Sequence, residues 1–254
     1  MKITFLGTGT STGIPLLGCN CSTCQSSDLR DRRLRTSVWI QLQSINIIID
    51  AGIDFRQQAL LYQIPTVDAV IFTHHHVDHI FGLDDLRPIN FIQHKTIDIY
   101  GNSLTMKHLQ RIYPYVFNSD DCPSDIPKIN WFVFDGDNFT VHDIVVTPIP
   151  VYHGELLIHG FRIGNFAYLT DVSRIPPESY LKLKNLDILV LGALRERPHP
   201  THFTLKEALD EAQKIDAQKT YLVHISHELS HQELLQRLPT NIQPAYDGLT
   251  VEMP

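Results

Sequence analysis

Residues 73–79 read Thr-His-His-His-Val-Asp-His, the densest metal-binding chemistry in the chain. Within them His74, His76, Asp78 and His79 form the pattern H-x-H-x-D-H. In an extended segment alternate side chains share a face, so His74 and His76 can hold one ion together. The chain must then turn for Asp78 and His79 to reach a second. Imidazole with carboxylate suits zinc, manganese, iron or cobalt, whereas magnesium and calcium favour all-oxygen sites. The cluster is internal and broken by Val77 and Asp78, which sets it apart from a tag remnant or a solvated histidine-rich loop.

A second set of donors lies near the N-terminus. Gly18 to Cys24 reads Gly-Cys-Asn-Cys-Ser-Thr-Cys, so Cys19, Cys21 and Cys24 form C-x-C-x2-C. Thiolates this close suit a tetrahedral structural zinc, but three are one ligand short. Cys122 and His227 both qualify as the fourth. A disulfide within the cluster is the competing reading, and a reducing compartment disfavours it.

These donors need elements that bring them together, and the pattern supplies strands that end at them. Ile45 to Ile49 ends at Asp50, and Ala69 to Phe72 ends at Thr73 and the histidine cluster. Val145 to Val151 leads to His153, Phe166 to Thr170 ends at Asp171, and Thr220 to Val223 ends at His224. Leu186 to Leu191 opens into a loop holding Arg195, Arg197, His199 and His202. β-branched and aromatic runs bounded by turn residues read as strands. Thr204-Leu205-Lys206-Glu207 reads as a capping box ahead of Leu205, Ala208, Leu209 and Ala212 at helical spacing, and Ser230 to Glu233 reads as another. Further helices are expected over 103–113 and 54–61.

The 254 residues carry 43% apolar and 19% charged side chains and a net charge of −7. No repeat, linker or low-complexity tract interrupts them, so one α/β domain over residues 1–254 is expected. The acidic balance argues against a partner that is long nucleic acid. No leader and no membrane-length apolar run is seen, which predicts a cytoplasmic chain with no membrane partner. Fourteen histidines stand out, four of them between residues 74 and 79.

H-x-H-x-D-H after a strand, with Ile47-Ile48-Ile49-Asp50-Ala51-Gly52 upstream, resembles the metallo-β-lactamase fold superfamily. The resemblance continues in His153 (Val-Tyr-His-Gly), Asp171 (Leu-Thr-Asp-Val) and His224 (Leu-Val-His-Ile). It implies a four-layer αββα sandwich with two divalent ions, zinc or manganese, at one edge of the sheets. His74, His76 and His153 would hold one ion, Asp78, His79 and His224 the other, and Asp171 would bridge them. The cysteine knot, the Gly7-Thr8-Gly9 turn and the ending His224-Ile225-Ser226-His227 are similar to the PhnP-like branch of phosphoribosyl cyclic phosphodiesterases. That resemblance assigns His227, with Cys19, Cys21 and Cys24, to one structural zinc. It also makes His202 a phosphate binder and general acid, with His199 as its near decoy.

Two ions about 3.5–4 Å apart can share a hydroxide that attacks phosphorus in line. The expected activity is therefore dinuclear hydrolysis of a small cyclic or nucleotide-like phosphodiester, with Asp78 and His202 as catalytic residues. Arg195 and Arg197 are weighed as phosphate contacts against solvated loop residues. His75 is expected to point away from the ions. His94, His108, His142, His159 and His231 are read as surface or packing residues. A homodimer accords with the resemblance.

The alternatives are tRNA 3'-end processing, for which no basic Gly- and Lys-rich arm is present, and a non-catalytic metal binder related to the quinone-cofactor branch. A β-lactamase fits the ligand pattern less well than a phosphoesterase. A glyoxalase-type thioesterase shares the ligands.

Overall fold

A computed structural model describes residues 1–118 and 125–253. The chain divides into two compact units, each assembled from separated stretches of sequence. Unit 1 comprises Met1–Leu6, Ser37–Asp135 and Thr250–Pro254; unit 2 comprises Gly7–Thr36 and Gly136–Leu249.

Unit 1 holds a seven-stranded mixed sheet. Its strands are β1 (Lys2–Gly7), β2 (Ser37–Leu42), β3 (Ile45–Ile49), β4 (Ala69–Ile71), β5 (Ile97–Gly101), β6 (Ile129–Val133) and β14 (Thr250–Glu252). Their order is β14-β1-β2-β3-β4-β5-β6. Strands β3 to β6 run parallel, and parallel strands are usually covered on both faces. Accordingly Ile47, Ile48 and Ile49 are all fully buried. Because Ile49 is in register with Ile71, the residues that follow, Asp50 and Phe72-Thr73, emerge side by side at one sheet edge. Helices α1 (Phe55–Leu61), α3 (Leu86–Gln93) and α4 (Ser103–Ile112) contribute Phe55, Leu86, Met106 and Leu109 to the core around Ile48, Val70 and Ile99. The short helix α2 (Val77–Ile80) follows the histidine run.

Unit 2 holds a second seven-stranded mixed sheet. It is built from β7 (Phe139–Val141), β8 (Ile144–His153), β9 (Leu156–Ile163), β10 (Phe166–Leu169), β11 (Ile188–Gly192), β12 (Lys219–Val223) and β13 (Ile242–Pro244), in the order β13-β12-β11-β10-β9-β8-β7. Strands β10 to β13 are parallel. β8 pairs antiparallel with β9, and β9 pairs antiparallel with β10, so β8 points the same way as the parallel set. His153, Asp171, the loop after β11 and His224 therefore leave the sheet at one edge. Helix α6 (Leu205–Ile215) has the full Thr204/Glu207 capping box and buries Leu205, Ala208, Ala212 and Ile215. Burying Leu205 and Ile215 alone is worth about 3–6 kcal/mol. Helix α7 (His231–Arg237) starts at Ser230, whose Oγ accepts from the Glu233 amide.

The expected strands and helices appear within a few residues of their sequence bounds. The fold class is α/β, each unit supplying one mixed sheet and its helices. No helix among the described residues is long and apolar enough to cross a membrane.

Candidate metal centres

In unit 1 the site is organised by one buried carboxylate. Asp50 sits just past β3 with φ of 64°, a left-handed conformation that Asp tolerates better than most side chains. It is fully buried and accepts from the Thr73 amide (2.8 Å), the Thr73 hydroxyl (2.8 Å) and His79 Nδ1 (2.7 Å). Burial pushes its carboxyl pKa up, while His79 and the Thr73 donors pull it back. With its Nδ1–H spent on Asp50, His79 keeps its lone pair on Nε2. The Thr73 hydroxyl, having donated to Asp50, accepts from His74 Nδ1 at 3.0 Å, so His74 keeps its lone pair on Nε2 as well. Fixing the tautomer through the second ring nitrogen is the usual support for a metal-binding histidine.

The four predicted donors of this unit lie together. His74 Nε2 is 3.0 Å from His76 Nδ1, the His74 and His79 ring centroids are 4.2 Å apart, and His79 Nε2 is 3.3 Å from Asp78 Oδ2. His76 is the extended residue that precedes α2, and the turn into α2 buries Asp78 and His79. Gly52 makes this turn possible: a Cβ there would overlap the backbone carbonyl of Asp78. His75 stacks on His108, with ring centroids 4.0 Å apart and planes 13° apart, which gives His108 a partner that the sequence did not reveal.

Unit 2 presents the remaining predicted donors. His153 ends β8, and its Nδ1 donates to the backbone carbonyl of Asp171 at 2.9 Å, again leaving Nε2 with the lone pair. Asp171 and His224 both adopt left-handed backbone, with φ of 59° and 57°. Residues held in this sparsely populated region cost energy and cluster at functional sites. Asp171 Oδ1 lies 3.1 Å from His224 Nε2 and 3.8 Å from His202 Nδ1, while its Oδ2 accepts from the Thr170 hydroxyl at 2.6 Å. One donor atom each from His153, Asp171 and His202 falls within a 4.8 Å group. His202 stacks on His224 (4.7 Å between centroids, 18° between planes) and meets His153 edge-on. Burial, then the neighbouring His224, pushes the His202 pKa down to about 2, against the pull of Asp171. His199 lies 4.9 Å from the His202 ring and is tied to Thr201. Arg195 and Arg197 turn to Glu228.

The cysteine knot also lies in unit 2. Cys19 Sγ and Cys21 Sγ are 3.5 and 3.3 Å from His227 Nδ1, and the donor atoms of Cys19, Cys21, Cys24 and His227 all fall within 4.8 Å of one another. Zinc–sulfur bonds of about 2.3 Å and zinc–nitrogen bonds of about 2.0 Å, set tetrahedrally, separate ligand atoms by about 3.3–3.8 Å, so this set fits such an ion. The hydrogen bond to His227 lowers the Cys21 thiol to about 6, whereas burial raises Cys24 to about 11. All three cysteines are free thiols rather than disulfide partners. Cys122, the other fourth ligand considered, lies outside the described residues.

Asp50, Thr73 and Thr170 were not among the predicted site residues. Asp50 carried a signal nonetheless, since it ends a strand just as Asp171 and His224 do. His231, read as a surface or packing residue, is buried and accepts from the fully buried Arg33.

Residues 45–225 match the β-lactamase superfamily domain, and the chain belongs to that superfamily. A crystal structure described as a new diphosphatase from the PhnP family is 42% identical, with a TM-score of 0.93, over 100% of this chain and 98% of that one. Within the superfamily the chain thus sides with the PhnP branch. An octanoyltransferase of Porphyromonas gingivalis is 40% identical over 98% of this chain, but the chain spans only 51% of that protein's length. A ribonuclease Z of Listeria welshimeri is 30% identical over 46% of this chain and 39% of its own length. The donor sets and the family support a metal-dependent hydrolase.

Proposed function

We propose that the chain is a two-metal phosphodiesterase acting on a small cyclic, phosphoribosyl-like phosphodiester. His74, His76 and His153 would hold one divalent ion, and Asp78, His79 and His224 the other, with Asp171 shared. The observation that carries this reading is the Asp171 carboxylate oxygen, which faces both His224 and His202 at the edge where His153 offers Nε2. Bound divalent ions would acidify a water near neutral pH and neutralise charge gathering on the phosphoryl oxygens.

The chain's own residues supply the rest. Asp50 holds His79 directly and His74 through Thr73, so neither imidazole needs to change tautomer to bind an ion. The Asp171 carbonyl does the same for His153. His202 would donate one N–H to a phosphoryl or leaving-group oxygen, a contact that strengthens as charge develops there. Cys19, Cys21, Cys24 and His227 would hold one zinc that fixes the segment after His224. A thiolate set of this kind suits a reducing cytoplasm.

The likeness to a PhnP-family diphosphatase supports phosphorus chemistry, and the test separates its two forms. Manganese- or zinc-loaded protein would be offered a five-membered cyclic ribose phosphate, bis(p-nitrophenyl) phosphate and a dinucleotide diphosphate. Turnover of the cyclic diester above the others is expected. Turnover of the diphosphate alone, or of no phosphorus ester by a metal-replete folded protein, would overturn the reading.

A further inference from the structure

Five consecutive residues after β12 each grip a different part of unit 2. His224 faces Asp171. The Ile225 amide donates to the Thr8 carbonyl (3.0 Å), and its own carbonyl accepts from the Thr10 amide (3.2 Å). The Ser226 amide donates to the Leu194 carbonyl at 2.9 Å, where the chain leaves β11. His227 closes the cysteine knot. Glu228 takes both ends of the Arg197 guanidinium, Nη2 at 2.6 Å and Nε at 3.1 Å, with Arg195 Nη1 3.6 Å away.

The two arginines belong to the loop that presents His199 and His202. Arg195 braces that loop from inside, donating to the carbonyls of Arg197 and Pro198. The loop's base is closed by bonds from the Leu194 amide to the Phe203 carbonyl and from the Leu205 amide to the Arg195 carbonyl. Its tip is close to the backbone after His153: a Cβ at Gly154 would come within 2.9 Å of the Thr201 methyl. Glu228 is therefore the side chain through which the segment next to the cysteine knot holds the arginine end of the loop.

We propose that Glu228 and Arg197 form a latch that positions His202, joining its loop to the segment that carries His224 and His227. Glu228 is a positioning residue, and its role rests on the assignment of His202 under the proposed function. An exposed ion pair is worth little on its own. Here the geometry is bidentate, and a loop closed at its base needs only a small bias to favour one position.

Arg197→Ala, Glu228→Gln and the swap Arg197→Glu/Glu228→Arg test this in the metal-loaded full chain. Amide hydrogen exchange is read on peptides covering 195–203, which requires no activity. Each single variant is expected to speed exchange there by about twofold to fivefold, with β11 and α6 unchanged and the swap restoring much of the protection. Unchanged loop exchange, or an equal rise throughout unit 2, overturns the latch. In the same variants kcat is expected to fall more for alkyl than for p-nitrophenyl diesters, because alkyl leaving groups depend more on His202. A uniform fall overturns the link to His202. If the wild type hydrolyses no diester, the exchange result still decides the latch, and it is the phosphodiesterase reading that fails.

Discussion

Replacing Asp50 by Asn changes one oxygen to an amide and leaves the volume almost untouched. Asp50 Oδ1 receives the Thr73 amide and Oδ2 receives both the Thr73 hydroxyl and His79 Nδ1, so an amide NH2 at Oδ2 requires both of those donors to reverse. The Thr73 amide cannot reverse. The Thr73 hydroxyl can turn to accept, and His79 can move its proton to Nε2 and accept from the new amide at Nδ1. That proton then occupies the nitrogen needed for an ion. Changes to such supporting partners cost about 10–100-fold in metal affinity, or about 1.4–2.7 kcal/mol. The loss of charge-assisted hydrogen bonds adds about 1.5–3 kcal/mol to the cost in fold stability. Competition against a chromophoric chelator should show the ion that uses His79 weakened by that factor, with the ion at the cysteines unaffected. Nitrogen-15 spectra of His79 should show the proton on Nε2. Affinity within about threefold of wild type, with Nδ1 still protonated, would refute the tautomer argument.

Gly52→Ala drives a methyl group into the Asp78 carbonyl. A backbone obstacle cannot yield like a side chain, so a loss of about 2 kcal/mol or more is expected in denaturant titration, together with loss of metal. Cys24→Ser removes one of four soft donors and should weaken that ion by more than the roughly 10–100-fold typical of outer partners, as read by retained zinc after dialysis. Asp247 accepts from the Thr8 hydroxyl and the Leu34 amide, and burial pushes its carboxyl up to about 7. A carboxyl raised in the folded state favours folding below its unfolded pKa and loses that advantage as pH rises through the folded value. Wild type should therefore lose thermal stability relative to Asp247→Asn between pH 4 and 7, with a flat difference above pH 8. A difference that instead grows in favour of wild type would mean that nearby Arg33 keeps Asp247 ionised.

Much of this was legible because the donors end strands. β3 begins and ends where its isoleucine run does, and the Thr204 capping box starts α6 as its sequence predicts. What escaped depends on register and distance. Asp50 can serve His79 only because β3 and β4 are parallel and aligned, a pairing that no local pattern states. Arg33 meets His231 across 198 residues, so nothing local told whether that helix-start histidine was a surface or a packing residue; it is buried. The arginines after β11 could be read either as phosphate contacts or as solvated loop residues, because their partner Glu228 lies in a loop distant in sequence.

In the proposed hydrolytic centre Asp171 is shared by two ions. The most direct test of this sharing is metal content measured alongside bis(p-nitrophenyl) phosphate turnover, in wild type and Asp171→Ala. Wild type is expected to bind two exchangeable ions beyond the one at the cysteines, and the variant to lose turnover and at least one exchangeable ion while keeping the cysteine ion. A variant that keeps both exchangeable ions and hydrolyses the diester at the wild-type rate would contradict the sharing.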